Sequence, residues 1–182
     1  MPHRPTELPR SDALMPEAQA MLHGPARSAL RDAAVLLDQA ERQAQPLQMS
    51  LALAQMARCY RALQALGPAE SCFERALAWA RALGAADQAV DILCLLAETA
   101  CAAAELQQRD GSKQRHAALE RARDHAFEAV SLAGHVADAQ WEVKVLLRVS
   151  DVLDRCGDHD DAVQLQSRAM RLMYGPLLGG EG

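Results

Sequence analysis

The chain has 182 residues, of which 50% are hydrophobic, 24% charged and 3% aromatic, and it carries a formal net charge of −5. The hydrophobic share excludes a wholly disordered polymer, the scarcity of aromatics weighs against a β-sandwich or barrel, and the acidic balance weighs against a dedicated nucleic-acid binder. A core of Ala, Leu, Val and Met suits closely packed helices.

Taken in chain order, residues 1–25 hold prolines at positions 2, 5, 9, 16 and 25. They predict a flexible N-terminal arm with at most a short helix near Ser11–Leu22. A lone helix follows over 26–43, with Leu30, Ala33, Leu37 and Ala40 at three-and-four spacing. The next helix begins near Gln48 and runs to about Leu66. Gly67-Pro68-Ala69-Glu70 then reads as a stop and restart, with Pro in the first turn and Glu meeting the helix dipole. That second helix ends at Leu83, before Gly84, which closes a pair over 48–83. A second pair spans 87–133, broken near Asp110-Gly111-Ser112, where Ser112 is the expected N-cap. A third pair spans 137–173, with Gly157 as its turn, Asp158 capping the last helix and Asp161 supporting it. Residues 175–182 read as a C-terminal tail. No segment alternates with period two, so no sheet is expected.

The second helices share a signature. Ala33-x3-Leu37-x2-Ala40, Ala69-x3-Phe73-x2-Ala76, Ala122-x3-Ala126-x2-Ala129 and Ala162-x3-Gln166-x2-Ala169 place small residues where helices approach closely. The first helices agree. Leu53-x2-Met56-Ala57-x2-Tyr60 precedes one copy, Leu93-x2-Leu96-Ala97-x2-Ala100 another, and Leu146-x2-Val149-Ser150-x2-Leu153 the last. The signature alanines are separated by 36, 53 and 40 residues. The long middle interval predicts about two extra turns in each arm of one hairpin, whose tip lies near Gln107–His116. The tip carries Arg109, Lys113, Arg115 and His116.

This pattern resembles the tetratricopeptide repeat, W/L-x2-L-G/A-x2-Y followed by A-x3-F/Y-x2-A. Over residues 26–174 the resemblance implies an all-α fold. Antiparallel helical hairpins would stack as a short right-handed α-solenoid of about seven helices, whose concave face is lined by the first helices. Carried over residue by residue, the groove positions are Leu51, Ala54, Arg58, Arg61 and Ala62 in the first pair. In the middle pair they are Asp91, Cys94, Glu98, Cys101 and Ala102. In the last they are Lys144, Leu147, Asp151, Asp154 and Arg155. The surface is mixed in charge, and Asp151 and Arg155 are spaced to pair with each other. The Lys/Asn clamp by which some family members hold a partner's C-terminal carboxylate is not reproduced at Ala54 and Arg58 or at Cys94 and Glu98. Lys144 and Arg148 would suit its basic side.

Catalytic chemistry finds no support in the motifs. There is no G-x-S-x-G, P-loop, G-x-G-x-x-G or H-E-x-x-H. Asp158-His159-Asp160-Asp161 is a helix start rather than a cation site. No catalytic residue, metal or cofactor is therefore assigned. The five cysteines, at 59, 72, 94, 101 and 156, form no CxxC and are odd in number. They are expected as reduced, buried side chains. Cys94 and Cys101 share a helix face but sit two turns apart, roughly 10 Å, too far to bridge. No signal-peptide or membrane-span pattern is present, so a cytoplasmic setting is expected.

The expected function is that of a non-catalytic protein- or peptide-binding adaptor. The alternative is a regulatory sensor or export-type chaperone that binds a small molecule or signalling peptide. The partner is expected to be a protein, not nucleic acid or membrane. The last helix would leave Leu165, Met170 and Met173 uncovered. Either Tyr174, Leu177 and Leu178 fold back over them, or a second copy stacks there as a homodimer.

Overall fold

The computed structural model describes residues 15–107, 113–136 and 138–178, and every regular element among them is helical. The helices are α1 (Met15–Arg42), α2 (Pro46–Ala62), α3 (Leu66–Ala82), α4 (Ala86–Leu106), α5 (Lys113–Ala133), α6 (Ala139–Cys156) and α7 (His159–Leu178). Each packs on the next, and α4 also touches α6 directly. The result is an α-solenoid in which α2–α3, α4–α5 and α6–α7 are hairpins and α1 stands in front of them.

The repeated alanines hold the stack together. Ala33, Ala40, Ala69, Ala76, Ala122, Ala126, Ala129, Ala162 and Ala169 are all buried. Leu53, Leu93 and Leu146, at equivalent places in the first helices, are fully enclosed, as is Phe73. A methyl group at a helix crossing lets backbones approach, and the leucines fill the space on either side. Gln166, where the first hairpin has Phe73, is exposed. Among the described residues no helix covers that face of α7, so an aromatic ring there would lie in solvent. Ser50 ties three helices together: its buried hydroxyl donates to the Ala76 carbonyl at 2.9 Å and accepts from Gln88 Nε2 at 2.8 Å.

The turns are more regular than the sequence suggests. At the ends of α1, α2, α3 and α6 one residue adopts positive φ: Ala44 (49°), Gln64 (59°), Gly84 (66°) and Gly157 (89°). In each case the following N–H reaches five residues back, from Gln45 to Ala40, Ala65 to Tyr60, Ala85 to Ala80, and Asp158 to Leu153. These are Schellman closures. Two of them use a residue with a side chain where glycine is unstrained.

Several expected boundaries move. Helix α1 begins at Met15, within the stretch read as an arm, and carries Pro25 inside it. Helix α2 ends at Ala62, so Gly67-Pro68 is not a stop; both residues lie in the first turn of α3. Glu70 falls beyond that first turn, and its carboxylate accepts instead from Arg121 Nε on α5 at 2.8 Å. Helix α6 starts at Ala139 with Asp138 as its N-cap, accepting from the Trp141 N–H at 3.0 Å. The Asp158 carboxylate is held by Arg123 of α5. Helix α7 runs through Gly175-Pro176 to Leu178 without a break, where a tail was expected from 175; the Leu177 and Leu178 side chains lie outside the described residues. The long hairpin is shorter than two extra turns per arm: α4 and α5 have 21 residues each against 17 in α2 and α3, about one additional turn apiece. Its arms stay packed out to Ala104 and Ala118. Ser112 and Arg109 lie outside the described residues.

Candidate functional site

The first helices α2, α4 and α6 lie side by side and build one face. On it the charged groove residues are tied into a network between hairpins. Arg61 Nη1 of α2 lies 3.0 Å from Glu98 Oε2 of α4. The other oxygen of Glu98 accepts from Arg148 Nη2 of α6 at 2.7 Å and from its Nε at 3.1 Å. Arg148 also reaches Asp91 Oδ1 at 3.2 Å. One carboxylate thus joins three successive hairpins. Glu98 and Arg61 are about three-quarters buried, so removing one member strands charge in a poorly solvated place.

A second cluster lies further along. Arg155 donates to Glu105 Oε1 of α4 at 2.9 Å and lies 3.6 Å from Asp151, the pairing expected from their spacing. Asp154 is taken by His159 at 2.6 Å. The opposite face is laced in the same way between second helices: Arg75 with Glu41, Arg121 with Glu70, and Arg81 with Glu128.

What remains free defines a cleft of about 260 Å³. Its walls are Leu51, Ala54 and Arg58 from α2, Asp87, Gln88, Asp91 and Ile92 from α4, and Trp141 from α6. Leu51 is nearly half exposed, as is Leu147 further along α6. Arg58 and Lys144 are exposed and enter no ion pair among the described residues. An open channel with aliphatic and indole surface and uncommitted cations suits an extended peptide with an apolar anchor and an acidic neighbour.

Three expected groove residues, Cys94, Cys101 and Ala54, are buried instead. Cys94 is buried, and burial pushes its thiol up to about 11, so it is a packing residue. Ala54 is also buried and forms the floor of the cleft. Leu51, Arg58, Arg61, Asp91, Glu98, Lys144, Leu147, Asp151, Asp154 and Arg155 do keep at least part of their surface open. At the hairpin tip, Lys113 and Arg115 are exposed. Arg115 lines a small cleft of about 110 Å³ with Ala104, Glu105, Leu119 and Arg155. Trp141, Asp87, Gln88 and Glu105 were not among the predicted groove residues. Trp141 lies three residues before Lys144, so extending that stripe by one turn toward the helix start finds it. The role of Arg148 at the network centre has no such signal, because it depends on how α6 is rotated against α4.

Among the described residues no group of three or more His, Cys, Asp or Glu is placed to hold a metal ion, and no helix is long and apolar enough to cross a membrane. No family model and no curated protein matches the chain. Among solved structures it is similar to the DHF58 filament, at 23% identity and a TM-score of 0.48, covering 89% of this chain and 86% of that one. It is also similar to the de novo designed helical repeat protein DHR64, at 22% identity and a TM-score of 0.45, covering 87% and 84%. BtubC from P. vanneervenii matches at 15% identity with a TM-score of 0.30, covering 91% and 94%.

Proposed function

We propose that this chain is a non-catalytic, tetratricopeptide-like scaffold that binds an extended segment of a partner protein on its concave face. The observation that carries the reading is the cleft shared by α2, α4 and α6, where Trp141 and Leu51 offer apolar contact and Arg58 an uncommitted cation. The segment lays an apolar side chain against Trp141 and an acidic one toward Arg58. The surrounding charges are already paired, which fixes the walls before a partner arrives and lowers the ordering cost of binding. The alternative, a sensor or export-type chaperone closing around a small molecule, calls for an enclosed pocket. This cleft is open along the groove, as is the glutamine-lined one of about 330 Å³ between α1 and α2, which favours the peptide.

The test is selection from a random peptide library displayed on phage, followed by titration of enriched peptides through tryptophan fluorescence. Peptides pairing an aromatic or aliphatic residue with Asp or Glu are expected. Arg58→Glu and Trp141→Ala should each weaken binding by about tenfold or more, while circular dichroism stays unchanged. Selection of peptides whose affinity is indifferent to both substitutions would move the site elsewhere.

A further inference from the structure

Counted from the turns, α1 and α2 recur as α3 and α4. The left-handed residues Ala44 and Gly84 are 40 positions apart, and so are the enclosed Leu53 and Leu93 of the helices that follow them. In that register Leu36 of α1 corresponds to Ala76 of α3, and Gln48 of α2 to Gln88 of α4. The trough between α1 and α2 has a volume of about 330 Å³. Leu36, Gln39 and Gln43 form one wall and Gln48, Leu51 and Gln55 the other, and no charged residue lines it.

The corresponding trough between α3 and α4 is occupied, and its occupant is α2. Ser50 of α2 donates to the Ala76 carbonyl at 2.9 Å and accepts from Gln88 Nε2 at 2.8 Å. It opens a stripe of Ser50, Leu53, Ala54 and Ala57, spaced i, i+3, i+4 and i+7, all buried and all uncharged. Beneath α2, Ala76 is 0% exposed; the corresponding Leu36 is 57% exposed. The Leu36 carbonyl and the Gln48 amide thus hold the two places that grip a serine hydroxyl 40 residues further on. A charged side chain entering the first trough would lose water and find no counter-ion in its walls.

We propose that the trough between α1 and α2 docks a helix of a partner protein whose inserted face matches that of α2. That face is uncharged, carries Ser or Thr at its first position, and has small or aliphatic residues three, four and seven places on. The hydroxyl accepts from the Gln48 amide and donates to the Leu36 carbonyl. The remaining glutamines offer both donors and acceptors to the polar edges of the incoming helix. Once docked, it gives α1 the hairpin partner that α3 has in α2 and lengthens the row of first helices by one. This inference does not rest on the reading of the concave cleft; Leu51 is the one residue that lines both hollows.

The probe is a fluorescein-labelled peptide with the sequence of residues 46–62. A hydrocarbon staple between the positions of Arg58 and Ala62, both exposed in α2, keeps it helical. The full chain, kept reduced, is titrated into it and followed by fluorescence anisotropy. Saturable binding of one peptide per chain is expected. Leu36→Glu in the chain should weaken it by about tenfold or more with circular dichroism unchanged. Ser50→Ala in the peptide should weaken it by about three- to tenfold. Gln48→Leu in the chain should weaken the parent peptide and leave the Ser50→Ala peptide unaffected, because the two changes remove one hydrogen bond. Absence of saturable binding, or binding indifferent to Leu36→Glu or to Ser50→Ala, would overturn the proposal. So would a native chain that self-associates and becomes monomeric with Leu36→Glu, because the trough would then belong to a second copy. The Ser50→Ala arm uses the native chain, so the test stands even if a substituted chain fails to fold.

Discussion

At the scale of single residues, Glu98 and His125 show how the same solenoid treats charge in opposite ways. Glu98, about three-quarters buried, is given two arginines from two other helices. His125, on α5, is given burial. Burial lowers its pKa below 6.5, while the surrounding Glu70, Glu128, Glu74 and Asp124 pull it the other way without prevailing. The sign for stability follows. Well above pH 6.5 the ring is neutral in both folded and unfolded chains. As pH falls through that value the unfolded chain takes up a proton that the folded one resists, and stability drops. Melting temperatures followed from pH 8 to pH 5 should fall more for the native chain than for His125→Gln. Parallel curves would show that His125 is not the group responsible. The partly paired surface of Glu98 was legible as a groove position, but its bridging role was not. The repeat pattern marks Arg148 only as a basic position suited to a carboxylate clamp, and only the packing of α6 on α4 brings it across to Glu98.

At the scale of elements, the alanine signature predicted the helices and their buried faces, because three-and-four spacing on a helix translates directly into one stripe. The helix ends were less legible. Gly67 and Pro68 carry the familiar stop signals, yet the reversal falls three residues earlier, at Gln64, with no glycine to announce it. A left-handed residue with a Cβ costs about 1–2 kcal/mol, a strain the flanking packing sustains. Ala44→Gly and Gln64→Gly should therefore each stabilise the protein, by about 0.5–1 kcal/mol, since relief of strain exceeds the added freedom of the unfolded chain. Gly157→Ala should destabilise it by about 1 kcal/mol. A Cβ there would meet nothing within 4 Å, so the cost is purely one of backbone conformation. Urea melts of the three variants check the signs; a loss of stability in Gln64→Gly would contradict the reading of that turn.

At the scale of the whole molecule, α7 presents an apolar face that no other described helix covers. Val163, Met170, Met173 and Tyr174 of α7 are each half or more exposed, and the helix carries on to Leu178. We propose that a second copy covers this face. Met170→Glu with Met173→Glu should then shift sedimentation equilibrium from dimer to monomer without loss of helicity, whereas a native chain that is monomeric at micromolar concentration would refute it.

The turns at Ala44, Gln64 and Gly84 recur every 20 residues and reverse the chain in one way. Residues 45–84 are therefore a cassette with matching ends. A tandem duplication of that stretch would put Leu53, Ala54 and Ala57 at the places now held by Leu93, Cys94 and Ala97, all of them buried, a nearly like-for-like exchange of shapes. A lineage could lengthen such a chain by unequal crossing-over without inventing a new joint, and an engineer could do so by copying one block of coding sequence.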